Sequence, residues 1–277
     1  MFDFFKRKDV VNINQSCELN FYDNLCEYDE LIKKIKDICG IDLEIKKSTI
    51  KSKLLKLALV NNIKSFSEFK IRLLCDLNFK QDLFNLITVC ETYFFREIKQ
   101  LKEIVKILKE NPTKRKILSI PCSSGEEIYS ILILAMEANI YDIEIFGIDI
   151  NSLIIDKAIK AEYTSRSLYN VSKENIDKYF IKNGDKFILK KDLFNKVNYK
   201  VLNVFDNDFI KLGKFDLIIS RNMMIYFDEE HKYSLIDNFS KVLNNNGMLF
   251  TGHADLVPKH DKFNKIYLNN CTYYQKI

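Results

Sequence analysis

Two glutamates, Glu126 and Glu127, follow one of the chain's seven glycines in the stretch SIPCSSGEEIYSI, residues 119–131. The stretch reads as the end of a buried strand, a tight turn at Gly125 and the start of a helix. Glycine in such a turn lets a ligand approach the backbone closely. There is no G-x-G-x-x-G pattern and no Walker lysine, so a pyrophosphate has little to hold it here. Acids at a helix N-terminus also have a plain role, compensation of the helix dipole, worth about 0.3–1 kcal/mol. A further acid, Asp149, ends the apolar run FGIDI. There it is placed to accept both hydroxyls of a ribose. It is equally placed to cap the next helix, and the two roles are compatible. A nucleoside bound beside acids and without a pyrophosphate answers to S-adenosylmethionine (SAM), which carries a sulfonium and an ammonium.

A parallel sheet must position these residues, because ligands bind beyond the carboxyl ends of such strands. The runs KILSIP, IEIFGIDI, YKVLNV, FDLIIS and GMLFTGH read as buried strands. They alternate with helical segments such as EEIYSILILAMEA, SLIIDKAIKAEY and EHKYSLIDNFSKVL, which predicts an α/β fold. Between Tyr163 and Val201 the alternation breaks, and DKFILKKDLF predicts an inserted antiparallel ribbon. The end, KIYLNNCTYYQKI, predicts a closing hairpin turning at Asn269-Asn270. Before NPTKRK at 111–116, four helical patterns lie between about Tyr28 and Val89. Gly40 is a C′ glycine for the first of them, and Ser65 with Glu68 has capping-box spacing.

Composition narrows the class. The chain has 277 residues, 47% of them apolar, enough for one large domain or two modest ones. A net charge of +5 is too weak for a nucleic-acid footprint, and no apolar stretch is long enough to span a bilayer. No secretory pattern opens the sequence, and MFDFFKRK reads as a loosely docked tail. Seven scattered cysteines and three histidines make no metal-ligand spacing, so reduced thiols in a cytoplasmic protein are expected and no metal.

Four segments, in order, resemble the chemotaxis receptor methyltransferases of the CheR family: TYFFRE at 92–97, SSGEEIYSI at 123–131, FDLIISRNMMIYF at 215–227 and GMLFTGH at 247–253. The resemblance implies a Rossmann-like SAM-dependent methyltransferase sheet, a small helical N-terminal domain and an inserted small antiparallel β-subdomain. The implied division is a tail at 1–25, the helical domain at 26–95 and the methyltransferase domain at 96–277, with the insert at about 163–200. Carried over residue by residue, Thr92 and Arg96 lie by the methionine end of the cofactor. Glu127 binds SAM, Asp149 grips its ribose, and Asn203 and Val204 line the adenine side. Arg221 and Asn222 complete the pocket, and Tyr226 faces the reacting methyl. The aromatic run in TYFFRE reads as core packing whose flanks touch the ligand. Two departures stand out: Cys90 where many relatives have asparagine, and GHAD, ending at Asp255, where relatives often carry GHSE.

The implied reaction converts glutamate side chains of methyl-accepting chemotaxis receptors to γ-methyl esters and releases S-adenosyl-L-homocysteine (SAH). Arg96 and Tyr226 are the catalytic pair on this reading. A non-catalytic adaptor of the same fold, binding SAM or receptors, is the alternative. Thr49, Lys53 and Lys56 fall on one helical stripe with Lys46, if that helix is continuous, and the stripe would meet the acidic region of a receptor. The inserted ribbon offers an edge to a receptor's C-terminal peptide. A monomer that meets no nucleic acid, and meets the membrane only through receptors, is expected.

Overall fold

The computed structural model describes residues 25–277 except 45, 46, 114, 195, 196 and 270. The tail expected at 1–25 therefore lies, apart from Leu25, outside the described residues, as do Lys46 and Asn270. Four helices come first: α1 (Leu25–Cys39), α2 (Lys47–Val60), α3 (Phe66–Cys75) and α4 (Leu77–Ile87). Tyr28, Leu31, Phe69, Phe79 and Leu83 pack in their shared core. The helix ends obey local chemistry. Gly40 follows α1 at φ +77°, and a Cβ there would lie 2.6 Å from the Phe205 ring. Ser65 Oγ accepts the Glu68 N–H at 3.1 Å, and Glu68 accepts the Lys64 N–H at 2.9 Å. The reciprocal bond thus reaches one residue before the cap instead of the cap itself.

Helix α5 (Ile98–Glu110) leads to the sheet. In chain order come β1 (Lys116–Ser119), α6 (Glu126–Glu137), β2 (Glu144–Asp149) and α7 (Ser152–Lys160). Next is the insert, β3 (Glu162–Thr164), α8 (Lys173–Tyr179), β4 (Phe180–Asn183) and β5 (Lys186–Leu189). The chain then runs through β6 (Asn198–Val201), β7 (Phe215–Ser220), α9 (Glu229–Val242), β8 (Leu243–Thr251), β9 (Phe263–Leu268) and β10 (Cys271–Lys276). The seven-stranded sheet has the order β6-β2-β1-β7-β8-β10-β9, and the insert forms its own three-stranded sheet, β3-β5-β4. Strands β6 to β8 in that order are parallel; the closing hairpin β9–β10 joins antiparallel, and the insert is wholly antiparallel.

The central strands β1 and β7 are mostly apolar and buried because helices cover both faces, whereas the edge strand β6 is largely exposed. In β7, Leu217 and Ile219 enter the core shared with α5 and α6, while Ile218 enters the core shared with α9. The chain leaves β1 for β2 on one side and later returns to β7 on the other. That reversal opens a crevice at the strands' carboxyl ends. The helical layer helps to close it: Asn203 Nδ2 donates to the Ile38 carbonyl at 2.7 Å, and the Asp42 N–H donates to the Tyr226 carbonyl at 2.7 Å. Ile41 forms an antiparallel bridge with Phe227. Among the described residues no helix is long and apolar enough to cross a membrane.

Candidate functional site

One cleft at the carboxyl ends of β1, β2 and β7 is lined by all nine expected site residues: Thr92, Arg96, Glu127, Asp149, Asn203, Val204, Arg221, Asn222 and Tyr226. Cys90 lies on the same wall, and the helical layer adds Cys39, Ile41 and Ile87.

Asp149 ends β2 almost completely buried. Its Oδ2 accepts the Ser123 N–H and its Oδ1 the Asn151 N–H, both at 3.0 Å. Burial raises its carboxyl to about 6, with the backbone donors of Asn151, Ser123 and Ile150 opposing that rise. The carboxylate keeps acceptor capacity beyond these backbone donors. The capping of α7 falls to Asn151, whose Oδ1 accepts the Ile154 N–H at 3.1 Å, so Asp149 is not the cap.

The turn before α6 corrects one expectation. Gly125 sits at φ +91°, but it is not on the cleft wall. A Cβ on it would meet the Tyr199 hydroxyl at 2.8 Å and the Tyr163 hydroxyl at 3.4 Å. The glycine serves a left-handed turn packed under tyrosines; Ser123, at φ 48°, is the turn residue on the wall. The two glutamates also divide. Glu126 points away, accepting from Ser124 Oγ at 2.7 Å and Ser167 Oγ at 3.2 Å, which ties α6 to the insert. Burial pushes its carboxyl above the ordinary range. Glu127 faces the cleft, accepts from Ser119 Oγ at 2.9 Å and pairs with Arg221 at 3.0 Å. Burial raises the Glu127 carboxyl too, more than Arg221 lowers it.

The loop 92–97 is strained and heavily restrained. Phe95 and Glu97 have left-handed backbones at φ 57° and 53°. Such residues cost of order 1–3 kcal/mol and persist when the surroundings hold them. Here the Phe94 N–H donates to the Ser167 carbonyl and the Phe95 N–H to Ser130 Oγ, each at 2.9 Å. Phe94 is fully buried against Tyr163 and Phe180, with ring centroids 4.8 and 5.3 Å away. Phe94 and Phe95 are core, as the aromatic run suggested, but Tyr93 lines the cleft and packs on Tyr169 at 4.8 Å. Arg96 donates to the Glu91 carbonyl at 3.1 Å and lies 5.6 Å from the Tyr93 ring centroid.

Arg221 is buried behind this loop. It pairs with Glu127 at 3.0 Å and Glu97 at 3.1 Å, and donates to the Arg96 carbonyl at 2.7 Å. Asn222 turns the chain at φ 58°, a conformation asparagine tolerates. Its N–H, with those of Met224 and Gly252, is taken by the single carboxylate of Asp255 at 2.5, 2.9 and 2.9 Å. Tyr226 follows on a short 3₁₀ turn, half-buried. Burial raises its hydroxyl pKa, and the Arg96 charge opposes that rise. Asn203 uses both ends of its amide, donating to Ile38 and accepting the Phe205 N–H at 3.1 Å, so its part in the wall is shape and not a free amide. Val204 is buried beside it. At the second departure position, Cys90 Sγ lies 3.6 Å from Asn151 Nδ2; burial and then the Asp149 charge raise its thiol to about 11, so it stays protonated.

Acids, an aromatic rim and buried donors suit a cationic nucleoside. Two polar atoms of wall residues, Ser123 Oγ and Arg221 Nε, are buried without a hydrogen-bond partner among the described residues. Such groups are costly unless something satisfies them. The sequence reading missed Glu97, Tyr93 and the threefold role of Asp255. The only signal for them was their membership in, or closeness to, the TYFFRE and GHAD segments.

Family models of the CheR methyltransferase match nearly the whole chain: the all-alpha domain at residues 27–88 and the SAM binding domain at 90–272. A chemotaxis protein methyltransferase of Campylobacter jejuni subsp. jejuni is 43% identical over 252 residues, covering 91% of this chain and 96% of the relative. One from Borreliella burgdorferi is 33% identical over 273 residues, covering 89% and 94%. Chemotaxis protein methyltransferase 2 of Vibrio cholerae is 37% identical over 187 residues, covering 63% and 65%. With the cleft at the switch point of its sheet and the helical layer closing it, the chain belongs to the CheR methyltransferase family and takes S-adenosylmethionine as its cofactor.

Proposed function

We propose that the protein methylates glutamate side chains of methyl-accepting chemotaxis receptors, giving γ-methyl esters, and is not a non-catalytic adaptor. The observation that carries this reading is that Arg96 and Tyr226 line one cleft with Asp149. The names of the relatives, all chemotaxis protein methyltransferases, support the acceptor class. On this reading residues 26–95 form a receptor-facing helical domain and 96–277 the catalytic domain, working as a cytoplasmic monomer. Thr49, Lys53 and Lys56 border one shallow groove on α2 and suit an acidic helix. The three-stranded insert suits a C-terminal receptor peptide.

Bound SAM supplies a methyl group activated by its sulfonium. Asp149 would hold the ribose hydroxyls, Glu127 the amino-acid end and Asn203 with Val204 the adenine face. Thr92, Arg221 and Asn222 would complete that pocket. A glutamate acceptor ionises near 4.3 and needs no base at neutral pH. The chain's task is then alignment and exclusion of water. Arg96 steers the carboxylate, and its bond to the Glu91 carbonyl keeps it from gripping the carboxylate tightly. That restraint matters, because binding the acceptor more tightly than the transition state slows transfer. Tyr226, its proton retained, donates to one acceptor oxygen and sets the direction of the other.

The test is transfer of labelled methyl from SAM to receptor-rich membranes. Base-labile label released as methanol is expected. Label that survives base, or appears only on small molecules, would overturn the carboxyl-methylation reading.

A further inference from the structure

Glu97 stands at the N-cap of α5 but does no capping, since its side chain makes no bond to the helix end. It holds a left-handed backbone, φ 53°, which glutamate adopts only at a cost. It is not on the cleft wall. Its carboxylate is committed to two partners, the buried Arg221 at 3.1 Å and the exposed His253 at 2.6 Å. Burial pushes the Glu97 carboxyl up, and Arg221 with His253 brings it below the ordinary range, so it is ionised. A strained residue whose ionised side chain reaches a buried arginine has a task that glycine or asparagine, the easier residues here, could not perform.

The charges show the task. Arg221 pairs with Glu127, on the wall, and with Glu97, off it. Were Glu127 its sole partner, the two charges would cancel at the place where the α-ammonium must bind. Two carboxylates against one guanidinium leave an excess of negative charge as long as the exposed His253 imidazole beside Glu97 is neutral. Glu97 is the member that supplies the excess without occupying the cleft. We infer that Glu97 is a positioning residue for the cofactor: by carrying part of the Arg221 charge, it leaves the Glu127 carboxylate free to receive the α-ammonium of SAM. The inference rests on the proposed role of Glu127 at that end of the cofactor.

Calorimetry with two ligands tests it on the full chain. SAH carries the amino-acid end, whereas 5′-methylthioadenosine keeps the adenosine and thioether but lacks that end. In Glu97→Gln the Kd for SAH is expected to rise about tenfold, with that for methylthioadenosine within about twofold of wild type. Glu97→Asp, which keeps the charge, is expected to bind SAH more tightly than Glu97→Gln. Equal weakening of both ligands in Glu97→Gln would mean a merely structural role and overturn the inference. So would unchanged SAH binding, or a Glu97→Asp protein as weak as Glu97→Gln. Glu127→Gln separates the two layers of the argument. If it shows the same ligand-selective loss and Glu97→Gln does not, only the role of Glu97 falls. If Glu127→Gln shows no selectivity, the contact between Glu127 and the ammonium falls first.

Discussion

The two cleft side chains proposed to act on the acceptor, Arg96 and Tyr226, stand on supports of different kinds. Arg96 sits on a loop pinned by side chains: Phe94 and Phe95 anchor it in the sheet core, and Arg221 holds its backbone and two carboxylates. Tyr226 sits on a turn pinned through its backbone: Asp255 takes the N–H groups of Asn222 and Met224, and the helical layer supplies the Asp42 N–H to the Tyr226 carbonyl. One support is ionic and internal to the α/β core. The other spans the two layers, so the position of Tyr226 depends on how the helices dock. The lesson is that cofactor affinity and turnover can be damaged separately.

Removal of the ionic hub should have the largest effect. Arg221→Met strands two carboxylates, and breaking a buried pair typically costs about 3–5 kcal/mol. Urea unfolding should show a loss of about 3 kcal/mol or more, with SAH binding lost as well. A loss below about 1 kcal/mol would mean that the loop does not lean on this arginine. Asp255→Ala orphans three N–H groups, each costing about 1–3 kcal/mol before water compensates. A loss of about 2–3 kcal/mol is expected, with kcat falling further than SAH affinity. Equal falls would erase the distinction between the two supports.

A pH series sharpens the comparison next, because Asp149 belongs to neither support. An ordinary aspartate titrates near 3.9, whereas burial has carried Asp149 to about 6. Above that value it is ionised and, in the proposed role, would accept the ribose hydroxyls. As pH falls through it, the carboxyl gains a proton and loses acceptor capacity, so affinity falls with falling pH. The Kd for SAH should be flat around neutral pH and rise about tenfold per unit well below 6. Asp149→Asn should bind weakly at every pH, and a Kd that keeps the same slope in that variant would assign the titration to another group. The smallest effect is expected from Gly40→Ala. Its left-handed backbone and the close Phe205 ring should cost about 1–2 kcal/mol and shift Ile41, which bridges to Phe227. A severalfold lower kcat with SAH affinity within about twofold is expected; the reverse would tie the helical layer to the cofactor instead.

Much of this was legible in the chain itself. Local rules carry local information: the apolar runs announced the strands, Gly40 and Ser65 marked helix ends, and the break after Tyr163 announced the insert. The nine expected site residues were picked by motif, and all line one cleft: strand ends in a parallel sheet converge on one edge, and the loop before α5 brings Thr92 and Arg96 to it. What each does there was not legible. Glu126 and Glu127 are neighbours in sequence but lie about 100° apart around a helix, so one serves the insert and the other the cleft. Gly125 reads as a ligand-facing turn until Tyr163 and Tyr199, far along the chain, arrive beside it. Arg221 meets Glu127 across 94 residues of sequence. The sequence by itself determined which segments are strands, helices and turns, since propensity and periodicity act over a few residues. Tertiary packing alone decided which charges are paired, which carboxylate faces the cleft and which backbone holds the tyrosine, since burial and Coulomb energy depend on distances that no local pattern encodes.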